Sequence, residues 1–237
     1  MNFLIIFFAT FAAAIFSGFF GLGAGIIGIF ALSFFFPLPH AVALSSVFCS
    51  FIILSKIYFF WNSIDWKITA IFSAAALPAS ILGAFFFTKI DAEILKKILA
   101  AAIFSVLIFR FLPRVKNLKL NFSAIFCGAA IFGFLSGISG VGNFFKILIL
   151  QQLKLKKEIF IATSASVSIL QNLTKIGIFF NYKILQKSDF YFWPIFAVAA
   201  ICGIRIGKFL LQKVSQKNFD RAISAILFFI AAKFFFF

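Results

Sequence analysis

SGFFGLG, at residues 17–23, interrupts an apolar segment that runs from about residue 3 to about residue 36. At about 1.5 Å of rise per residue, an unbroken helix over such a segment would be roughly 40 to 50 Å long, whereas the hydrocarbon core of a bilayer is about 30 Å thick. Glycine lowers helix stability and permits dihedral angles that other residues avoid. We therefore predict that the helix breaks at this glycine cluster.

A second glycine cluster, SGISGVG at residues 136–142, interrupts another long apolar segment, from about 122 to about 150. The two heptapeptides align with each other at a constant spacing. The same spacing pairs identical residues further along the chain: Ala43 with Ala162, Ser45 with Ser164, and Lys56 with Lys175. So many matches at one spacing indicate an internal duplication. The sequence thus predicts two homologous repeats, about 3–112 and about 120–237, each with four apolar segments of which the first is broken.

The composition is that of a membrane protein. Hydrophobic residues make up 64% of the chain and charged residues 12%, against about a quarter charged in a typical soluble domain. The other apolar segments are close to the roughly 20 residues that a spanning helix needs; they run approximately over 41–60, 68–87, 94–112, 159–180, 190–211 and 222–237. The expected fold is an all-α polytopic membrane protein, with residues 1–237 forming a single transmembrane domain in the lipid bilayer.

The formal net charge of +16 comes from Lys and Arg residues in short clusters between the apolar segments. That distribution follows the positive-inside rule, so we expect no nucleic-acid partner. If each broken segment turns back to the side from which it entered, most of these cations fall on one face of the membrane; if each crosses once, the two faces are nearly equal. The first arrangement fits the rule better and makes the repeats inverted, with the basic face cytoplasmic.

The glycine clusters are the first candidates for a substrate site, because transporters with inverted repeats and broken helices bind anions at exposed half-helix N-termini. Nearby hydroxyl and amide groups supply hydrogen-bond donors, and a lysine inside an apolar segment suits an anionic substrate. Lys146 and Asn172 are further polar interruptions of apolar segments. The candidate site residues are Ser17, Gly18, Gly21, Gly23, Ser45, Ser46, Lys56, Ser136, Gly137, Gly140, Gly142, Asn143, Thr163, Ser164 and Lys175.

Each of these patterns also has a purely structural explanation. Small residues let membrane helices pack closely, a hydroxyl can bond to its own helix, and a lysine near a segment end can extend to the interface. A membrane enzyme would need a catalytic set at membrane depth, but the chain has one His, and its six acidic residues lie at or near segment ends. We therefore expect no enzymatic activity, and neither a cofactor nor a metal site.

Glycines and hydroxyl residues recur in five stretches of the chain: 17–28, 43–46, 64–66, 136–143 and 162–164. In their order, duplication and spacing, these stretches resemble the TauE/SafE family of sulfite exporters. The resemblance implies a four-plus-four-segment transporter of the bacterial inner membrane whose substrate is a small sulfur-containing anion. Two departures bear on the helix break and the substrate: Phe30 stands where members often have proline, and Asn143 where they have a further glycine.

Three functions stay open from the sequence. The resemblance favours a secondary transporter that exports sulfite or an organosulfonate. A transporter of an unrelated small anion has the same general features, and a membrane assembly or accessory factor without transport activity would also use small residues for helix packing. The coupling ion and the oligomeric state are equally open.

Overall fold

The computed structural model describes residues 3–21, 24–91, 93–94, 97, 122–139 and 142–219. Within these residues the chain is helical and contains no β-strand, so the all-α prediction is confirmed for this part of the chain. The α-helices are α1 (Phe3–Phe20), α2 (Ala24–Ser33), α3 (Leu38–Phe59), α4 (Trp66–Lys89), α5 (Phe122–Ser139), α6 (Asn143–Gln152), α7 (Lys157–Asn181) and α8 (Trp193–Gln212).

Three helical runs are long and apolar enough to cross a membrane by length and composition. They are α3, α4, and the continuous run Lys187–Gln212, in which a 3-10 turn leads into α8. The helices α1 and α5 are apolar but somewhat shorter, and the 25-residue α7 carries many polar side chains. Nearly all of the predicted segment 94–112 and the whole of 222–237 lie outside the described residues.

Local sequence accounts for several helix ends. Asp65 caps α4 because its carboxylate accepts a hydrogen bond of 3.0 Å from the backbone N–H of Ile68. Both α3 and α8 have proline in their first turn, where the missing N–H has no partner within the helix. The 3-10 turn before α8 is held by a capping box between Gln186 and Asp189.

Both long apolar segments consist of two helices in the structure. The first segment contains α1 and α2, and Gly21, just beyond α1, has a φ of +77°, a conformation that favours glycine. The second segment contains α5 and α6. Residues 22–23 and 140–141, and with them the predicted site residues Gly23 and Gly140, lie outside the described residues.

The second helix of each pair runs back against the first. Gly142, at the start of α6, lies against Ser136 near the end of α5, and the Ile149 side chain reaches back to Gly128. For the first pair, the direction of α2 is shown by its contact with α3. Ser45 Oγ donates a 3.1 Å hydrogen bond to the Gly25 carbonyl, so that α2 is antiparallel to α3.

The remaining helices form two sets of opposite direction. One set contains α1, α3 and α8. Gly207, toward the end of α8, lies against Gly18 on α1. The start of α8 lies beside the start of α3, where Asp189 accepts hydrogen bonds of 3.0 and 3.1 Å from His40 Nε2. The other set is α4, α5 and α7. The backbone N–H of Asp65 donates to Thr163 Oγ1, which puts the starts of α4 and α7 together.

Glycines bring two helix pairs into close contact. A Cβ added at Gly18 would lie 3.2 Å from the Gly207 Cα atom, so that α1 and α8 meet almost backbone to backbone. A Cβ at Gly137 would lie 3.0 Å from the Gly83 Cα atom, and α4 and α5 meet in the same way. This is the close approach that small residues allow between membrane helices. The helices α3 and α7 pack against each other and carry most of the buried polar residues.

Candidate functional site

Two adjoining cavities lie where the starts of α2 and α6 meet the middle of α3 and α7. The larger has a volume of about 40 Å³ and the smaller about 20 Å³. They share five lining residues: Gly25, Cys49, Asn143, Ser168 and Asn172. A single water needs a cavity of about 10 to 15 Å³, so the larger cavity has room for a few waters or one small anion.

Three buried lysines surround these cavities. Lys56 on α3, Lys146 on α6 and Lys175 on α7 are only 4%, 4% and 3% exposed. Lys56 and Lys146 line the larger cavity, and Lys175 lines the smaller. The ring of Phe132 lies 5.2 Å from Lys146 Nζ, a favourable position for a cation. Three basic side chains from three different helices therefore meet at this site.

Within the part of the chain that the structure describes, the hydrogen-bond partners of the three lysine side chains are all neutral. Lys56 Nζ donates to Ser17 Oγ over 2.7 Å, and Lys175 Nζ donates to the Ser136 carbonyl over 3.0 Å. Lys146 Nζ donates to the Ser164 carbonyl and to Ser168 Oγ, over 2.7 and 2.6 Å. An ammonium group has three donors. Within the described residues Lys56 and Lys175 use one donor each, which leaves others for a bound molecule.

No carboxylate in the described part of the chain pairs with these lysines. The ion pairs found there join His40 to Asp189, Lys97 to Glu93, and Lys157 to Glu158, all away from the cavities. Asp65 is occupied as the cap of α4. A buried charge without a counter-charge is costly, so an anion that enters the cavity is stabilised by the lysines and relieves that cost. The arrangement can bind an anion and offers little to a cation.

The beginnings of two helices add to this preference. Ala24 and Gly25 in the first turn of α2 and Asn143 at the start of α6 all line the larger cavity. The first N–H groups of a helix have no partner within the helix and carry partial positive charge. Both helix starts therefore favour negative charge in the same cavity as the lysines.

The structure brings most of the predicted site residues together. Those that line one or both cavities are Ser17, Gly21, Ser45, Ser46, Lys56, Ser136, Asn143, Ser164 and Lys175. They come from α1, α3, α5, α6 and α7 and from the turn after α1. Distant parts of the sequence, one from each predicted repeat, thus meet around one polar space.

Four predicted site residues have other surroundings in the structure. Gly18 and Gly137 lie in the helix contacts with α8 and α4, and Gly142 lies against α5. Thr163 is fully buried and accepts the hydrogen bond from the Asp65 backbone, so it fixes the start of α4 relative to α7. None of these residues lines either of the two cavities.

The cavities also include residues absent from the predicted set, and four of these carry a polar atom or a thiol: Lys146, Ser168, Asn172 and Cys49. Lys146 carries the same signal as Lys56 and Lys175, an ionisable residue within an apolar segment. Ser168 and Asn172 follow Ser164 at intervals of four, so they share its helix face. That periodicity would have extended the predicted site along α7. Cys49 carries no comparable signal in the sequence.

Comparison with known proteins gives one match. A protein-family model described as "Sulfite exporter TauE/SafE" matches residues 6–234, which is nearly the whole chain. No curated protein and no solved structure matches the chain.

Proposed function

The chain belongs to the TauE/SafE sulfite exporter family, and on that premise we propose that it is a secondary transporter that exports a small sulfur-containing anion, such as sulfite or an organosulfonate. The family is one of membrane transporters, and the apolar helices agree with a membrane location. We further propose that the protein crosses the bacterial inner membrane several times and is not an enzyme.

One observation carries the proposal. Three lysines, each at least 95% buried, surround the two adjoining cavities, and no carboxylate of the described residues pairs with them. Intramembrane ionisable residues are rare, and they mark substrate or ion pathways. Uncompensated positive charge at such a depth is unfavourable unless an anion occupies the cavity during the working cycle.

The helix directions support an architecture of two inverted repeats. The helix that opens the first half, α1, runs opposite to the helix that opens the second half, α5, and each is followed by a short helix that runs back. The helix contacts are reciprocal as well. In the first half α1 packs on α8 of the second half, and α5 packs on α4 of the first half, through glycines in both cases. Inverted repeats of this kind support alternating access around a central site.

The membrane potential can drive export through such a site. An interior potential of −100 mV favours the exit of a monovalent anion by about 2.3 kcal/mol. A cycle in which the lysines bind one anion on the cytoplasmic side and release it outside needs no coupling ion. The sequence distribution of Lys and Arg favours a cytoplasmic position for the basic face of the protein, where positive surface charge would also attract the substrate.

Flux from proteoliposomes tests this function. Purified protein is reconstituted, and the vesicles are loaded with sulfite or methanesulfonate. A potassium gradient with valinomycin sets the membrane potential, and efflux of the anion is measured. We expect efflux that rises as the interior is made more negative. The double variant Lys56→Met/Lys175→Met should lose most of it, while Lys217→Met, which changes an exposed lysine, should transport as the wild type does.

The possible results separate the open functions. Efflux of phosphate or chloride but of no sulfur-containing anion would mean an unrelated small anion as substrate. A folded protein that transports no anion would favour the accessory factor. Equal flux in the wild type and the double variant would show that Lys56 and Lys175 take no part in transport.

A further inference from the structure

The two cavities lie one behind the other along the helix axes. On α3, Ser46 lines the smaller cavity, Lys56 lines the larger, and Cys49 between them lines both. The order on α7 is reversed: Ala165, near its start, lines the larger cavity, and Lys175 lines the smaller. Since α3 and α7 run in opposite directions, the two helices agree. The larger cavity lies toward the end of α3 and the start of α7, and the smaller lies toward the opposite face of the protein.

The two cavities are lined by aligned residues of the two halves. The constant spacing that pairs Lys56 with Lys175 gives four pairs in which one residue lines only the larger of the two cavities and the other lines only the smaller. These pairs are Ser17 with Ser136, Ser164 with Ser45, Ala165 with Ser46, and Lys56 with Lys175. Cys49 and Ser168 are aligned with each other and line both cavities. Each cavity is thus the counterpart of the other with the two halves exchanged.

The lysine of each cavity is held in a corresponding way. Lys56 Nζ donates a hydrogen bond to Ser17 Oγ, and Lys175 Nζ donates one to the Ser136 carbonyl, in both cases across 39 residues of sequence. Both lysines are at least 95% buried. Among the described residues each uses one hydrogen-bond donor, and a lysine side chain has more than one. Each cavity therefore offers a buried basic group with a donor left for an anion.

From this correspondence we infer that the protein has two anion half-sites in series, which open to opposite faces of the membrane. The Lys56 half-site is the larger cavity, and the Lys175 half-site is the smaller. This inference rests on the proposed function. A small anion enters one half-site, passes Cys49 and Ser168 in the shared middle, and leaves from the other.

The unequal volumes agree with alternating access. The Lys56 half-site has a volume of about 40 Å³ and the Lys175 half-site about 20 Å³. When one repeat moves against the other, inverted repeats exchange their conformations. In the opposite conformation we therefore expect the Lys175 half-site to be the wider of the two, with enough room for the anion.

One lysine breaks the correspondence between the half-sites. Lys146 lines the larger cavity, whereas the aligned residue, Ile27, lines neither. The Lys56 half-site therefore has two basic side chains and the Lys175 half-site has one. Each basic group supplies hydrogen-bond donors and, when protonated, a charge opposite to that of the anion. We expect the anion to bind more tightly at the Lys56 half-site than at the Lys175 half-site.

Thiol labelling from the two faces of the membrane tests the inference. The aligned residues Ser46 and Ala165 are replaced in separate variants, Ser46→Cys and Ala165→Cys. The background is Cys49→Ser/Cys127→Ala/Cys202→Ala, in which position 49 receives the residue of its aligned position, Ser168. A membrane-impermeant anionic methanethiosulfonate reagent is added to spheroplasts and, separately, to inside-out vesicles.

Two further variants mark the faces of the membrane. Lys154→Cys lies before α7, and Lys183→Cys lies after it. We expect Ala165→Cys to be labelled from the same face as Lys154→Cys, and Ser46→Cys from the same face as Lys183→Cys. If a half-site variant does not fold, the aligned pair Ser164→Cys and Ser45→Cys takes its place, because each exchanges only an oxygen for a sulfur.

Protection by an anion tests whether each half-site binds. Methanesulfonate on the labelled face, at about ten times its Kd, should slow the labelling of both half-site variants about tenfold. A lower concentration should suffice for Ala165→Cys than for Ser46→Cys. Addition of Lys175→Met to Ser46→Cys should abolish the protection there. Lys208→Met is the control, because Lys208 lines neither cavity, and it should leave the protection unchanged.

The outcomes separate this inference from the proposed function. Labelling from opposite faces, with protection of both variants, supports two half-sites in series. Labelling of both variants from one face overturns the inference, because the cavities then form one vestibule. Absence of labelling or of protection at Ser46→Cys overturns the second half-site. Each of these results leaves the proposed transport intact, whereas a wild type without anion flux in proteoliposomes overturns the proposed function itself.

Discussion

Lys56 Nζ on α3 lies 2.7 Å from Ser17 Oγ on the last turn of α1. Both residues are buried, at 4% and 2% exposure. The hydrogen bond ties a buried cation of the candidate site to the end of α1, directly before Gly21 and the break in the first apolar segment. The position of Lys56 therefore depends on where α1 ends and on how the chain turns after it.

Replacement of Ser17 by alanine removes the acceptor of this hydrogen bond. A hydrogen bond to a charged group contributes about 1.5 to 3 kcal/mol, and the loss leaves a buried ammonium without its partner. We expect Ser17→Ala to lower the free energy of unfolding in mixed micelles by about that amount and to weaken anion binding. Ser33→Ala is the matched control, since Ser33 Oγ bonds to the Phe30 carbonyl at an exposed helix end. Equal losses in the two variants would contradict the prediction.

Lys146 is expected to contribute to anion binding, because it lines the larger cavity and is held there by two neighbours on α7, Ser164 and Ser168. Loss of one partner of a buried, hydrogen-bonded charge pair costs about 2 to 5 kcal/mol. Lys146→Met should therefore raise the Kd for methanesulfonate by at least about thirtyfold, measured by titration calorimetry.

A lysine outside the cavities provides the control for this variant. Lys208 on α8 donates a hydrogen bond of 2.6 Å to the Phe59 carbonyl and lines neither cavity. Lys208→Met changes the charge by the same amount, and we expect it to leave the Kd within about twofold. A similar loss in both variants would point to a general effect of charge rather than to a binding site.

Gly137 tests the contact between α4 and α5. A methyl group at this position would lie 2.9 Å from the Ala84 backbone nitrogen and would force the two helices apart. Overpacking of this kind costs about 1 to 3 kcal/mol, and we expect that loss of unfolding free energy for Gly137→Ala. Gly177 has no atom within 4 Å of an added Cβ. Gly177→Ala should be neutral or stabilise α7 by up to about 1 kcal/mol, because alanine is the better helix former. Destabilisation by both variants would argue against the packing explanation.

The inverted-repeat proposal predicts the side of the membrane on which each connection lies. Single cysteines are introduced at Lys154, before α7, and at Lys183, after it, in a background of Cys49→Ser/Cys127→Ala/Cys202→Ala. A membrane-impermeant maleimide added to spheroplasts should label the cysteine at 183, and it should label the one at 154 only after the membrane is opened. Labelling of both positions, or the reverse pattern, would overturn the proposed orientation.

The signals that predicted the helices were the length and apolarity of the segments, which is why α3, α4, α7 and α8 begin and end within a few residues of the expected bounds. The direction of the short helices α2 and α6 needed more than local sequence, since a glycine cluster permits either a turn or a bend. The distribution of lysines and arginines favoured the turn, and the contacts of Gly142 and Gly25 agree with it.

The site could be predicted in part for a similar physical reason. Lys56 and Lys175 stand out because a charge inside an apolar segment is costly without a function. Gly18 and Gly137 could not be separated from Gly21 by sequence, because in a membrane helix the faces toward lipid and toward protein are both apolar. Periodicity then does not tell which face packs on which helix, and only the structure shows that Gly18 faces α8.

The contact of α1 with α8 also has a consequence for how the protein is made. The ribosome completes α1 first, but the helix that covers its face around Ala14 and Gly18 is α8, made when most of the chain has already entered the bilayer. Until then that face meets lipid, which it tolerates because it consists of small apolar residues. The final shape can be locked only late in synthesis, and a chain that stops before α8 is expected to leave this face of α1 uncovered and open to membrane proteases.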